Sequence, residues 1–383
     1  MEPINQRVKE IEISGIRKFF NMVAPYEDAI SLTIGQPDFP TPGHIKEAAK
    51  KAIDENYTTY THNAGFPELR EAVCTYMKEK YGVAYDPAKE VIVTAGASEA
   101  IDITLRTILT EGSEVIMPSP VYPGYEPIVK LCGGVPVYAD ITGNSFKFTA
   151  DIIEKHLTEK TSCIILPYPS NPTGVSLTKK ELQEIAALLK GKDIIIVADE
   201  IYSELLFEHK HESIASFLKE QTILINGLSK SHSMTGWRIG FVFAPAKLSA
   251  EMLKVHQYNV SCASSISQKA AFAAVTAGKE DALPMREEYK KRRDYVYLRL
   301  LGMGLDVVKP DGAFYFFVKL PEGFSSSFSF ALQLVQEGRV AVVPGSAFSV
   351  FGEGYFRLSY AYSMDTLKEG LDRLETFLAD QKA

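Results

Sequence analysis

The sequence predicts a three-layer α/β fold with a mostly parallel central sheet, joined to a smaller α+β domain. Three observations predict it. Short apolar runs alternate with helical patterns from about residue 90. Some of these runs, such as Ile194-Ile195-Ile196-Val197, are apolar on both faces, as strands buried between helix layers are. After about residue 284 that alternation gives way to a different order of elements. A chain of 383 residues also exceeds what one small core organises, and so points to two domains, or to one large domain with an appendage.

In order along the chain, "EVIVTAG" is a strand before a helix starting near Ser98, and "SEVIMPS" a strand before a helix near Pro123. "TSCIILPYPS" precedes "TKKELQEIAALLKG", whose apolar residues recur at three- and four-residue spacing. "KDIIIVADE", "TILINGLS" and "WRIGFVFAP" supply further strands. A long charged helix, "MREEYKKRRDYVYLRLLGMG", then leads into the strands "GAFYFFVKL", "RVAVVPG" and "YFRLSYAYS", and "DTLKEGLDRLETFLADQ" is a closing helix. The expected division is an N-terminal arm, 1–35, packing with the small domain, a large domain, 36–284, and a small C-terminal domain, 285–383.

Composition narrows the function. Hydrophobic residues make up 46% and charged residues 23%, with a formal net charge of −7. No basic face is implied, which argues against nucleic acid and anionic membranes as partners. No apolar run approaches a membrane span, and the charged first twenty residues lack an apolar signal segment, so a cytoplasmic protein is expected. Cys74, Cys132, Cys163 and Cys262 are scattered among apolar or small residues and are expected to be buried, reduced thiols. His209 and His211 in "FEHKHE" raise the thought of a metal, but a charged, loop-like segment favours solvated side chains, and no metal is expected.

The chemistry centres on Lys230, in "NGLSKSHSMTGWRIG". A loop lysine is ordinarily a solvated surface charge. This one follows the apolar strand "TILIN" at the carboxyl-end position where α/β sheets build their sites. A lysine drawn into such a crevice loses hydration, its pKa falls, and the neutral amine becomes a nucleophile toward carbonyls. The use that follows is a Schiff base, above all with pyridoxal phosphate (PLP).

A PLP site makes further demands. A carboxylate must keep the pyridine nitrogen protonated, and Asp199 ends the strand "IIIVADE"; its competing reading is a helix N-cap for "EIYSEL". The phosphate needs a fixed cation and backbone donors, which Arg238 and the N–H groups near Ala97 and Ser98 in "TAGASEA" can supply. An aromatic face must stack on the ring: Tyr122 is the candidate, Tyr125 its competitor, and core packing the alternative for both. Asn171 in "SNPTG" and Tyr202 in "DEIYSE" can hold the phenolate oxygen.

With these motifs in ascending order, the chain resembles a fold-type I PLP-dependent aminotransferase of the class I/II group over essentially its whole length. "SNPTG", "ADEIYSEL", "GLSKSHSMTGWRIG" and "YFRLSYA" carry the resemblance together. It is most similar to the bacterial branch of aspartate, aromatic and N-acetyl-LL-diaminopimelate aminotransferases, and "SGIRKF…SLTIGQPDF" resembles the last type in particular.

The resemblance implies a three-layer PLP-transferase fold of type I and a role for each residue. Lys230 would bind the cofactor and shuttle a proton, with Asp199 pairing with the pyridinium. Asn171 and Tyr202 would hold the 3-oxygen, and Tyr122 would stack. Ala97, Ser98 and Arg238 would hold the phosphate. Arg357 would bind the substrate α-carboxylate, with the backbone of Gly35 against it. Tyr60 would reach the phosphate of a neighbouring subunit, which implies a homodimer. Many relatives carry a serine or threonine three residues before the lysine; here that position is Gly227, and Ser229 is the candidate substitute.

The implied reaction is ping-pong transfer of an amino group from an L-amino acid to 2-oxoglutarate. Arg17 is the candidate for a distal substrate carboxylate, with Ile16 beside it; a surface salt bridge is the alternative for Arg17. The polar "QYNVSCASSISQ" is expected to be a loop, 257–268, that comes from the partner subunit and accepts a long amide-bearing substrate such as N-acetyl-LL-2,6-diaminopimelate. Aspartate or aromatic amino acids are alternative donors. A PLP-dependent carbon–sulfur lyase and a cofactor-sensing regulator are alternatives of other classes.

Overall fold

The computed structural model describes residues 3–381. Its strands in chain order are β1 Ile30–Ser31, β2 Val91–Thr94, β3 Glu114–Ser119, β4 Val135–Asp140, β5 Thr161–Leu166, β6 Ile195–Asp199, β7 Thr222–Gly227, β8 Gly240–Phe243, β9 Tyr315–Lys319, β10 Val340–Ala341, β11 Val343–Pro344 and β12 Tyr355–Ser359.

Seven of these form the central sheet, in the order β2-β8-β7-β6-β5-β3-β4. Only β8 runs against the others, pairing antiparallel with β2 and β7, so the sheet is mostly parallel as the sequence predicts. Successive side chains point to opposite faces of a strand. Ile164 and Ile196 enter one apolar cluster and their neighbours Cys163, Ile165 and Val197 another, which is why these runs carry no polar alternation. Both faces are covered by helices, among them Ala97–Ile108 on one side and Lys179–Leu189 on the other. The latter begins with a capping box built by Thr178 and Glu181.

The C-terminal part is the expected mixture of helix and strand. An antiparallel sheet, β11-β12-β9, packs with the helices Ala282–Gly302, Ser327–Gly338 and Met364–Asp380 around Phe314, Phe316, Phe330, Phe356 and Leu371. The first residues join it: β1 pairs in parallel with β10, and Phe19 and Val23 of the helix Gly15–Val23 enter the same apolar cluster.

Two readings need correction. Residues 257–268 are not a loop. Helix Ala246–Val260 runs into this stretch and helix Ser265–Val275 begins inside it, with the small residues Ala270, Ala271 and Ala274 letting it pack closely on helix Gly43–Asp54, whose Ala49 joins the same apolar cluster. His211 is not solvated. Its Nε2 lies 2.7 Å from Glu200 Oε2 in a pair whose side chains are 5% and 4% exposed, while His209 is exposed. Among the described residues no cluster suited to a metal ion occurs, and no helix is long and apolar enough to cross a membrane.

Candidate active site

The parallel strands all end at one edge of the sheet, and loops leaving those ends build a cavity of about 1200 Å³. The turns after Thr94, Ser119, Leu166, Asp199 and Gly227 bring Ala97, Ser98, Tyr122, Asn171, Asp199, Tyr202, Ser229 and Lys230 to its wall. Arg238 joins them just before β8, Arg357 from β12, and Ile16, Arg17 and Gly35 from the N-terminal segment. Residues up to 341 positions apart thus share one wall. Tyr60 is the exception: it does not line this cavity, and 85% of its surface is exposed.

Lys230 Nζ donates to the carbonyl of Gly35 at 2.6 Å and lies 5.7 Å and 5.8 Å from the ring centres of Tyr202 and Phe314. Burial, with the Arg357 guanidinium nearby, brings its pKa from 10.5 down to about 8. Near neutrality a useful fraction of this amine is uncharged, which a nucleophile requires.

Asp199 is 7% exposed. Its Oδ2 accepts from Tyr125 Oη at 2.7 Å and its Oδ1 from the Ile201 amide at 3.2 Å. Residues 201–204 form turns, so Asp199 caps no helix there. Burial, then the adjacent Glu200, hold its pKa above the usual carboxylate range, and a cation brought to it would favour the ionised form again. Tyr125, the competing candidate for stacking, is buried with its hydroxyl committed to Asp199, whereas the Tyr122 ring is 37% exposed and faces the cavity.

Gly96 precedes helix Ala97–Ile108 with φ 85°, a conformation that favours glycine. A Cβ there would sit 2.6 Å from Arg238 Nη2. The missing side chain lets the guanidinium lie against a helix N-terminus, where free N–H groups and the helix dipole already favour an anion. Arg238 Nη1 donates to the Thr235 carbonyl at 3.1 Å, and Arg238 itself is exposed toward the cavity. Ser229, one residue before Lys230, is buried.

Arg357 is 2% exposed and, among the described residues, meets no carboxylate. Its Nη1 donates to Asn171 Oδ1 at 3.0 Å and its Nη2 to the Thr33 carbonyl at 2.5 Å, while Nε has no partner. The guanidinium lies 4.4 Å from the Tyr315 ring centre and 5.0 Å from that of Phe348. Burial pushes its pKa down, so an anion brought to it would restore what burial removes.

Tyr315 escaped the sequence reading. Its hydroxyl lies 2.8 Å from that of Tyr202, and a Cβ on Gly35 would come within 2.8 Å of the same oxygen. A buried hydroxyl has to find a polar partner, so a tyrosine inside the apolar run "AFYFFV" was the available signal.

These residues fit PLP: an amine for its aldehyde, a buried carboxylate for its pyridine nitrogen, an aromatic face, and a guanidinium beside free N–H groups for its phosphate. The comparisons agree. Residues 27–374 match the profile of aminotransferase class I and II. A probable N-acetyl-LL-diaminopimelate aminotransferase of Bacillus subtilis (strain 168) is 63% identical over 379 residues, covering 99% of this chain and 96% of the relative. Among solved structures, the aromatic aminotransferase of Pyrococcus horikoshii OT3 superposes with a TM-score of 0.90 at 42% identity, covering 96% and 99% of the two chains. The Thermus thermophilus aspartate aminotransferase with maleate gives 0.93 at 34%, covering 98% and 100%. A profile that spans most of the sequence and superpositions that span nearly all of it lead to one conclusion: the chain belongs to the class I and II aminotransferases, PLP-dependent enzymes of fold type I.

Proposed function

We propose that this aminotransferase moves the amino group of N-acetyl-LL-2,6-diaminopimelate to 2-oxoglutarate by a ping-pong mechanism, a step of lysine biosynthesis. The observation that carries the donor is the 63% identity to the Bacillus subtilis relative, over nearly the full length of both chains. The cavity is compatible with a long dicarboxylate: Arg357 and the arm residues Ile16 and Arg17 all line it.

Bound PLP supplies an electron sink next to the substrate α-carbon. In this reading Lys230 Nζ anchors the cofactor between turnovers and, once free, takes the α-proton and later returns it to the cofactor side. Asp199, oriented by Tyr125, holds the pyridine nitrogen protonated. Asn171 and Tyr202 hold the ring oxygen, Tyr122 covers one ring face, and Ala97, Ser98, Ser229 and Arg238 hold the phosphate. Arg357 binds the α-carboxylate and Arg17 the distal one, with Ile16 against the aliphatic chain.

The working unit in this reading is a cytoplasmic homodimer. Tyr60 and Tyr258 are 85% and 86% exposed, and large aromatic side chains left so open suit a subunit interface. Tyr60 then serves the partner's phosphate rather than its own.

A donor panel tests the substrate: purified protein, 2-oxoglutarate, and N-acetyl-LL-2,6-diaminopimelate, aspartate, tyrosine or a cysteine conjugate. The highest kcat/KM with the acetylated donor is expected. A higher value with aspartate or tyrosine reassigns the donor, and pyruvate with ammonia from the conjugate makes the enzyme a lyase.

A further inference from the structure

His256, on helix Ala246–Val260, has no exposed surface. Its Nδ1 lies 2.7 Å from Glu99 Oε1 and its Nε2 lies 2.9 Å from the carbonyl oxygen of Asn63. Both partners are acceptors. A neutral imidazole carries a single N–H, so it satisfies one of these contacts and sets a lone pair against the other. The pair therefore holds an additional proton. A ring that donates from both nitrogens, one to Glu99 and one to Asn63, satisfies both contacts, and that ring is the imidazolium. The other Glu99 oxygen accepts from the Ala95 amide.

The location gives this ion pair a use. Glu99 stands in the first turn of helix Ala97–Ile108, directly after Ser98. Its carboxylate is thus beside the N–H groups read above as the phosphate cradle, where an uncompensated negative charge would oppose a phosphate dianion. Arg238, whose Nη2 lies 3.5 Å from the Ala95 carbonyl oxygen, stands at the same turn, but its charge is the one assigned to the phosphate itself. Asp102 pairs with Arg106 and accepts from Asn259, and in the segment 62–64 the His62 ring accepts from the Ala64 amide. The same imidazole also ties Asn63, three residues after Tyr60, to the cradle.

We propose that His256 is held as an imidazolium that cancels the Glu99 charge under the phosphate cradle, making it a positioning residue for the cofactor phosphate. This inference rests on the assignment of Ala97, Ser98 and Arg238 to that phosphate.

The test compares binding of PLP and of pyridoxal, which lacks the phosphate, to the cofactor-free enzyme by equilibrium dialysis. His256→Gln keeps an amide donor for Asn63 but no charge. PLP affinity is expected to fall about tenfold and pyridoxal affinity by less than about twofold. Removing the offending carboxylate as well, in Glu99→Gln/His256→Gln, is expected to recover most of the loss. Equal losses for both ligands, or no recovery, overturn the proposal. Arg238→Met separates the two layers: if it leaves the preference for PLP over pyridoxal intact, the cradle itself is misassigned. Neutron diffraction from wild-type holoenzyme crystals needs no variant to fold. Deuterons on both ring nitrogens of His256 are expected, and a single one sinks the inference.

Discussion

Lys230 Nζ lies 2.6 Å from the carbonyl oxygen of Gly35, a residue 195 positions earlier in the chain. The amine is thus held by a neutral acceptor rather than a carboxylate, and burial dominates its protonation. Its pKa falls from 10.5 in an exposed lysine to about 8. Below about pH 8 both folded and unfolded chains carry the proton, and the folded one bears the cost of burying it. Between about 8 and 10.5 the unfolded chain keeps a proton that the folded one has released, so stability rises with pH through that window. Lys230→Met is therefore expected to stabilise the cofactor-free protein at pH 7 by roughly 3 kcal/mol, a gain that shrinks to nothing by about pH 10.5. Urea midpoints of the two proteins across that range check it. The same variant is expected to show no turnover.

Tyr202 and Tyr315 share one hydrogen bond, 2.8 Å between hydroxyl oxygens. Because one of them donates to the other, losing either hydroxyl removes the same interaction. Tyr202→Phe and Tyr315→Phe are each expected to lower kcat about fivefold, the worth of roughly one hydrogen bond. The double variant is expected to be little worse than either single one, since the pair acts as a unit. Steady-state kinetics on the four proteins close the cycle, and losses that multiply would show that the two hydroxyls act separately.

The elements most legible in the sequence were those whose environment leaves one reading. β5, β6 and β7 are buried on both faces, so apolarity without alternation marked them, and the functional residues at their ends followed from the parallel topology. β4, an edge strand, is hard to read because Val135 is 47% exposed and its burial pattern is mixed, whereas β2 at the other edge is buried throughout. The start of helix Ser265–Val275 falls within the stretch 257–268 that reads as a polar loop, because its first buried positions are Ser267 and Gln268 rather than apolar residues. Tyr125 matches a stacking group in sequence, yet its hydroxyl orients Asp199, because composition carries no information on which way a ring points. The burial of His211 is hidden in a charged, loop-like segment because its partner, Glu200, lies eleven residues earlier, across a turn.

Asp38 joins the strap that carries Gly35 to the long helix Ala282–Gly302. Both of its oxygens accept from Arg292 Nη1, at 2.9 Å and 2.8 Å, and Tyr289 Oη donates to Oδ1 at 3.0 Å. Arg292 is 6% exposed and lies 5.2 Å from the Phe39 ring centre, so removing the carboxylate strands a buried cation, with Glu288 its remaining partner. Asp38→Ala is expected to lower the unfolding free energy by roughly 2 kcal/mol. Chemical denaturation checks it, and an unchanged midpoint would mean that Glu288 alone satisfies Arg292.

Arg357 tests the substrate end of the site. Two of its nitrogens are spent on Asn171 and Thr33, its Nε has no partner, and Tyr315 and Phe348 flank its plane. A planar fork held this way can meet a carboxylate along a fixed direction, whereas a lysine at the same position offers one point charge on a flexible stem. Arg357→Lys keeps the charge and loses the geometry. It is expected to lower kcat/KM for amino acid donors about 100-fold, the worth of losing a charge-assisted bidentate contact. If the guanidinium serves the substrate rather than the cofactor, PLP affinity changes by less than about twofold, within what a conservative change away from a ligand produces. The loss is also expected to disappear for an amine donor that has no α-carboxylate, since nothing is left for the fork to hold. Measuring all three quantities on one preparation separates the roles: a matching fall in PLP affinity would place Arg357 in the cofactor site instead.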